Sequence, residues 1–159
     1  MIRVSNKEHA HAQAKPEVAV GYSWLRDISE GSAMVIPKGF LVSVAGGPTN
    51  WFSVVGEVGG SYLTDGDTLS VYTFQAGPRF SARATPKTTA FGQVLAGTAV
   101  ARCCGESSRI FLVEPGAGVD FRIGQGRAVR LGVGVPTSFD SGAHAALRLN
   151  VGFVFGGRN

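Results

Sequence analysis

The feature that most limits what this chain can fold into is a two-residue alternation that recurs along most of its length. At 114–123, Glu114, Gly116, Gly118, Asp120 and Arg122 fall on one parity. Pro115, Ala117, Val119, Phe121 and Ile123 fall on the other. A period of two is the signature of a strand, and these two faces differ sharply, one charged and glycine-rich, the other apolar. In a soluble sheet the apolar side faces a core and the charges face water. In a membrane barrel the apolar side faces lipid and the charges turn inward. No apolar run reaches the roughly 20 residues of a transmembrane helix, so helical membrane folds are excluded and strand-built ones are not.

Eight such segments can be traced. Val18, Val20, Tyr22 and Trp24 oppose Ala19, Gly21 and Ser23 in the first, and Phe40, Val42 and Val44 oppose Leu41, Ser43 and Ala45 in the second. The third sets Phe52, Val54, Val58 and Tyr62 against Ser53, Glu57, Gly59 and Ser61. The fourth sets Tyr72, Phe74, Ala76, Pro78 and Phe80 against Thr73, Gln75, Gly77 and Arg79, and its proline predicts a bulge or a rim position. In the fifth, Gln93 points to Phe91, Leu95 and Gly97 as the inward set. The 114–123 stretch, extended back through Phe111 and Val113, is the sixth. The seventh opposes Val129, Leu131, Val133 and Val135 to Arg130, Gly132 and Gly134. The last opposes Leu147, Leu149, Val151, Phe153 and Phe155 to Arg148, Asn150 and Gly152. The stretches around 27–38, 63–67, 102–109 and 136–143 read as loops at one end, and those around 46–50, 82–88 and 124–127 as turns at the other.

Steric room decides which face is inside. An eight-stranded barrel encloses a space only just wide enough for side chains to fill, so its inward face should mix small residues with a few long ones. The polar face does so, and water alone would not call for its many glycines; the chain has 23 in 159 residues. Lysine occurs only at Lys7, Lys15, Lys38 and Lys87, away from strand interiors, whereas arginine lies within them, as suits enclosed pairing with carboxylates. Glu57, Glu114 and Arg148 should therefore lie near mid-height, and Arg79, Asp120, Arg122 and Arg130 nearer the turn end. Buried charges must be paired, so this set is expected to form salt-bridged layers plugging the lumen. Trp24, Tyr62 and Tyr72 toward the loop end, with Trp51, Phe80 and Phe155 toward the turn end, fit two aromatic belts. The fold expected is all-β, an eight-stranded antiparallel up-and-down transmembrane barrel.

Residues 1–15 are expected to be a leader or disordered segment, 16–156 the barrel and 157–159 a tail. Ala12 and Ala14 resemble a secretory cleavage site, although no apolar stretch precedes them. Cys103 and Cys104 are adjacent and read as loop thiols. The net charge of +4 is dispersed, which argues against nucleic acid as a partner. No metal or cofactor motif appears, and His9 and His11 read as incidental.

Taken together, the stretches at 20–27, 54–62, 74–83 and 114–123, with the closing Asn150–Phe155, make the chain similar to the small OmpA-like or OmpX-like outer-membrane β-barrels over roughly residues 16–156. The resemblance implies a bacterial outer membrane, lipid and lipopolysaccharide as surroundings, and the barrel-assembly machinery as a partner that reads the strand carrying Phe153 and Phe155. It also implies a structural, membrane-stabilising or loop-mediated binding role rather than catalysis. The alternatives are a narrow gated ion channel and a soluble periplasmic barrel with an apolar ligand. Least favoured is a lipid A-modifying enzyme built on Asp140, Ser141 and His144, which sit in a loop, with His144 on the inward parity.

Overall fold

The computed structural model describes residues 14–29, 35–65, 67–103, 105–140 and 142–157. Among them are ten strands: β1 Ala14–Asp27, β2 Val35–Ile36, β3 Lys38–Gly47, β4 Phe52–Asp65, β5 Asp67–Thr85, β6 Thr88–Cys103, β7 Glu106–Gly124, β8 Arg127–Gly134, β9 Thr137–Ser138 and β10 His144–Gly156. The two short ones continue their neighbours. Pro136 lies where β8 gives way to β9, and Pro37 where β2 gives way to β3. A proline has no N–H to give to a ladder. Across the first break the register is kept: Val135 N–H donates to the Pro115 carbonyl at 2.9 Å, and Ala146 N–H to the Pro136 carbonyl at 3.0 Å. The architecture is thus eight staves, each antiparallel to the next, and pairing of β1 with β10 closes the ring.

The registers fix the ring's shape. From Val18 the pairing passes through Val44, Gly56, Ala76, Ala96, Val113, Thr137 and Ala145, and Ile28 N–H closes the circuit on the Ala145 carbonyl, ten residues further along β1. Such a stagger over eight strands requires them to tilt by roughly 35–45° to the axis. All three connections at the end holding the chain termini are short: residues 48–51, Pro86–Lys87 and Gln125–Gly126. Gly126 has φ +62°, the left-handed conformation that a two-residue hairpin turn uses.

Parity places side chains as the alternation requires. Thr73, Gln75 and Arg79 are buried, while Phe74 and Phe80 on the same strand are about half exposed, 51% and 52%. The same contrast separates Arg148 and Val154 from Leu149, Val151 and Phe153 on β10. This outer face is apolar on every side, an arrangement that water does not tolerate and hydrocarbon does. The soluble-barrel alternative, which needs the Val, Phe and Leu face inward, is overturned by it. An arginine at Val151, midway along β10 and 46% exposed, is expected to destabilise the barrel by about 2–4 kcal/mol in lipid. Equilibrium unfolding in phospholipid vesicles measures this, and a loss below roughly 0.5 kcal/mol would remove Val151 from the hydrocarbon.

Three expectations need correction. Pro78 is neither at a rim nor in a bulge; it sits opposite Val54 in mid-β5, and the β5–β6 register is unchanged on both sides of it, Ala76 facing Ala96 and Arg79 facing Gln93. The segments at 63–67, 82–88 and 102–109 are mostly strand, with Asp65 opposite Asp67 and Cys103 opposite Glu106. Hairpins extend past the apolar band, where both faces are polar and alternation carries no signal. At the ends of the chain, Ala14 and Lys15 belong to β1, and Gly157 N–H donates to the Pro16 carbonyl at 3.0 Å. Residues 1–13 with His9 and His11, Cys104, Ser141 and residues 158–159 lie outside the described residues.

Candidate functional site in the lumen

Two layers of ionised side chains cross the barrel. The lower one, toward the termini, draws Glu17 from β1, Arg79 from β5, Asp120 from β7 and Arg130 from β8. Arg130 faces Asp120 across the β7–β8 ladder and grips it bidentately, Nε to Oδ1 and Nη2 to Oδ2, both at 2.7 Å. Glu17 Oε1 then accepts from Arg130 Nη2 at 2.8 Å and from Arg79 Nη1 at 2.6 Å. Two cations and two anions balance. Both guanidiniums also lie over the ring of Phe91, each 4.7 Å from its centre, and the ring's negative face offsets their mutual repulsion. Arg79 completes its contacts with Nε to Gln93 Oε1 at 2.8 Å.

The upper layer holds one cation between two carboxylates. Arg148 Nη1 reaches Glu57 Oε1 at 2.9 Å and Glu114 Oε2 at 3.1 Å, and all three side chains are about 95% buried. Gln75 gives Glu114 Oε2 a further donor at 3.0 Å. Its own Oε1 has no partner among the described residues. With both glutamates ionised the layer carries one net negative charge. The glycines of the inward parity make these positions possible. A Cβ on Gly118 would strike the Phe91 ring, and one on Gly134 would strike the Glu114 carboxylate. Between the layers lies a small void of about 20 Å³, beside Glu57, Arg79, Gln93 and Asn150.

Of the residues singled out from sequence, Glu57, Glu114 and Arg148 meet in one layer, and Arg79, Asp120 and Arg130 in the other. Arg122 lies elsewhere, lining the mouth near the termini with Lys15, Lys87 and Arg127. Glu17 and Phe91 join the lower layer without having been singled out for it. Glu17 carries the parity of Ala19 and Gly21, so its inward direction was available, but its partners depend on register. Among the aromatics, Trp51 stacks on Phe80 at 6.1 Å near the turn end, where Phe155 is also exposed. Tyr62 and Tyr72 join hydroxyls at 3.2 Å toward the loop end, and Trp24 is half-buried opposite Leu149. Asp140 and His144 are exposed, and no hydrogen bond joins them among the described residues.

Similar solved structures share this architecture. The attachment invasion locus protein Ail of Yersinia pestis superposes with a TM-score of 0.65 at 19% identity, covering 90% of this chain and 99% of Ail. Neisserial surface protein A gives 0.64 at 12%, with 89% and 96% covered. The chain folds as a small outer-membrane β-barrel. The outer membrane protein OprG of Pseudomonas aeruginosa matches this barrel equally well, at a TM-score of 0.64, with 6% identity and coverage of 91% and 96%. No protein-family model matches the barrel's sequence, and no curated protein matches it.

Proposed function

We propose that the barrel is a closed anchor in the bacterial outer membrane, which stabilises the membrane and holds its loops outside while passing no solute. The observation that carries this reading is the pair of ionic layers, which bridge β1, β5, β7 and β8 below and β4, β7 and β10 above. A permeant ion would have to displace both. Trp24, Tyr62 and Tyr72 on one side and Trp51, Phe80 and Phe155 on the other are placed to meet the lipid headgroups. During insertion, β10 with its outward Phe153 and Phe155 is the strand offered to the barrel-assembly machinery. Planar-bilayer recording tests the closed lumen. The native protein should give no unitary current steps in about 1 M salt, where screening over ~3 Å favours rupture of ion pairs. Sustained steps would replace the anchor by a channel.

A binding role for the outside end has a specific support. Arg26, Lys38, Arg102 and Arg109 are exposed there and continue the outward parity of Trp24, Phe40, Val100 and Phe111, which suits them to lipopolysaccharide phosphates or another polyanion. Ail, of the same fold, has been solved with the heparin analogue sucrose octasulfate.

A further inference from the structure

Above Arg148 the lumen changes character. Below this point glycine, serine and charge share the inward parity with Leu41, Val55, Phe91 and Leu95, which are packed among them and buried. Above it stand Leu25, Ile36, Val71, Ala99, Ile110 and Leu112, which wall a cup of about 200 Å³. Ile36, Ala99 and Leu112 are 5–7% exposed, so they form a built wall rather than a fringe. Arg148 lies on its floor, and Asp27, Ser138 and His144 stand among its lining residues. Neither ionic layer requires these apolar walls. Filled with water, they leave their apolar area solvated, whereas the inward apolar side chains lower down, such as Val55 and Leu95, are fully buried.

We propose that this cup is a binding site for a small uncharged molecule, one ring in size, that carries a single hydrogen-bond acceptor. Size sets the first limit, because an apolar cavity of roughly 150 Å³ accepts benzene. The acceptor follows from the floor. Both ion pairs of Arg148 use Nη1, so the guanidinium has further N–H donors to give. Charge sets the last limit. Glu57 and Glu114 already outnumber Arg148, and Asp27 adds a second net negative charge above them, so a carboxylate ligand is repelled. Binding needs only the walls and the floor's donors, whereas conductance reads whether the layers beneath stay closed. The two experiments therefore fail independently.

Methyl-resolved NMR of the full chain in lipid nanodiscs tests the site, with acetophenone and benzoate as probes. Acetophenone should shift the methyls of Ile36, Ile110 and Leu112 saturably, and benzoate should bind at least about tenfold more weakly because its charge is not compensated. The outward methyls of Val20 and Leu149 report partition into lipid and should show no saturable shift. Ala99→Phe, which fills the cup, should abolish the acetophenone shifts in a barrel that still migrates as folded on unheated gels. If that variant does not fold, Val71→Phe serves for the same reading. Absence of saturable shifts at the three cup methyls, equal binding of benzoate, or shifts that survive in the filled variant would each overturn the proposal.

Discussion

Replacing Arg148 by alanine should destabilise the folded barrel by about 3–5 kcal/mol, the range for removing one member of a buried charge pair. The loss comes less from the broken bonds than from what remains. Glu57 and Glu114 would face each other with no ion-pair partner among the described residues, since the ion pairs of Arg79 and Arg130 go to Glu17 and Asp120. The effect should therefore be largely reversed by taking a charge away. In the Arg148→Ala background, Glu57→Gln is expected to recover about half or more of the loss, because an amide can donate to Glu114 as Gln75 already does. Equilibrium urea unfolding in lipid vesicles measures all three proteins. A loss under roughly 1 kcal/mol for Arg148→Ala would mean that lumen water solvates the carboxylates as a surface would.

Arg130→Ala should have an effect of similar size, about 3–5 kcal/mol, for a different reason. Arg130 spans two carboxylates and a ring at once. No other cation bonds Asp120 among the contacts above, whereas Glu17 keeps Arg79. Lysine in its place should restore only part of the stability, because an ammonium cannot make the bidentate grip on Asp120 or lie flat over Phe91. Since Arg79 and Arg130 share both Glu17 and Phe91, their alanine variants should be non-additive by about 0.5–3 kcal/mol. Additivity within about 0.3 kcal/mol would show that the two arginines do not act through common partners.

Much of the architecture was legible in the sequence because a strand's parity survives folding. Thr73, Gln75 and Arg79 could be assigned inward with no knowledge of their neighbours. What parity omits is height. Whether Arg148 meets Glu57 or Glu17 depends on the ten-residue stagger, and no single strand encodes it. The cup was hidden for another reason. Ile110, Phe111, Leu112 and Val113 form an unbroken apolar run, so although parity turns Phe111 and Val113 outward, polarity gives no sign that Ile110 and Leu112 wall a cavity. Strand ends faded where the membrane does, and β5 therefore runs on to Thr85 past the point where Phe80 gives the last outward signal.

The closed register has a consequence for how such a protein can change. Eight strands and a stagger of ten settle the bore of the tube by backbone geometry alone, whatever it contains. The lumen then acts as a socket of constant diameter, in which each glycine is an unfilled place and each arginine a removable bolt. A lineage could re-cut the interior residue by residue, widening the cup or opening a layer, while the surface shown to lipid stayed the same.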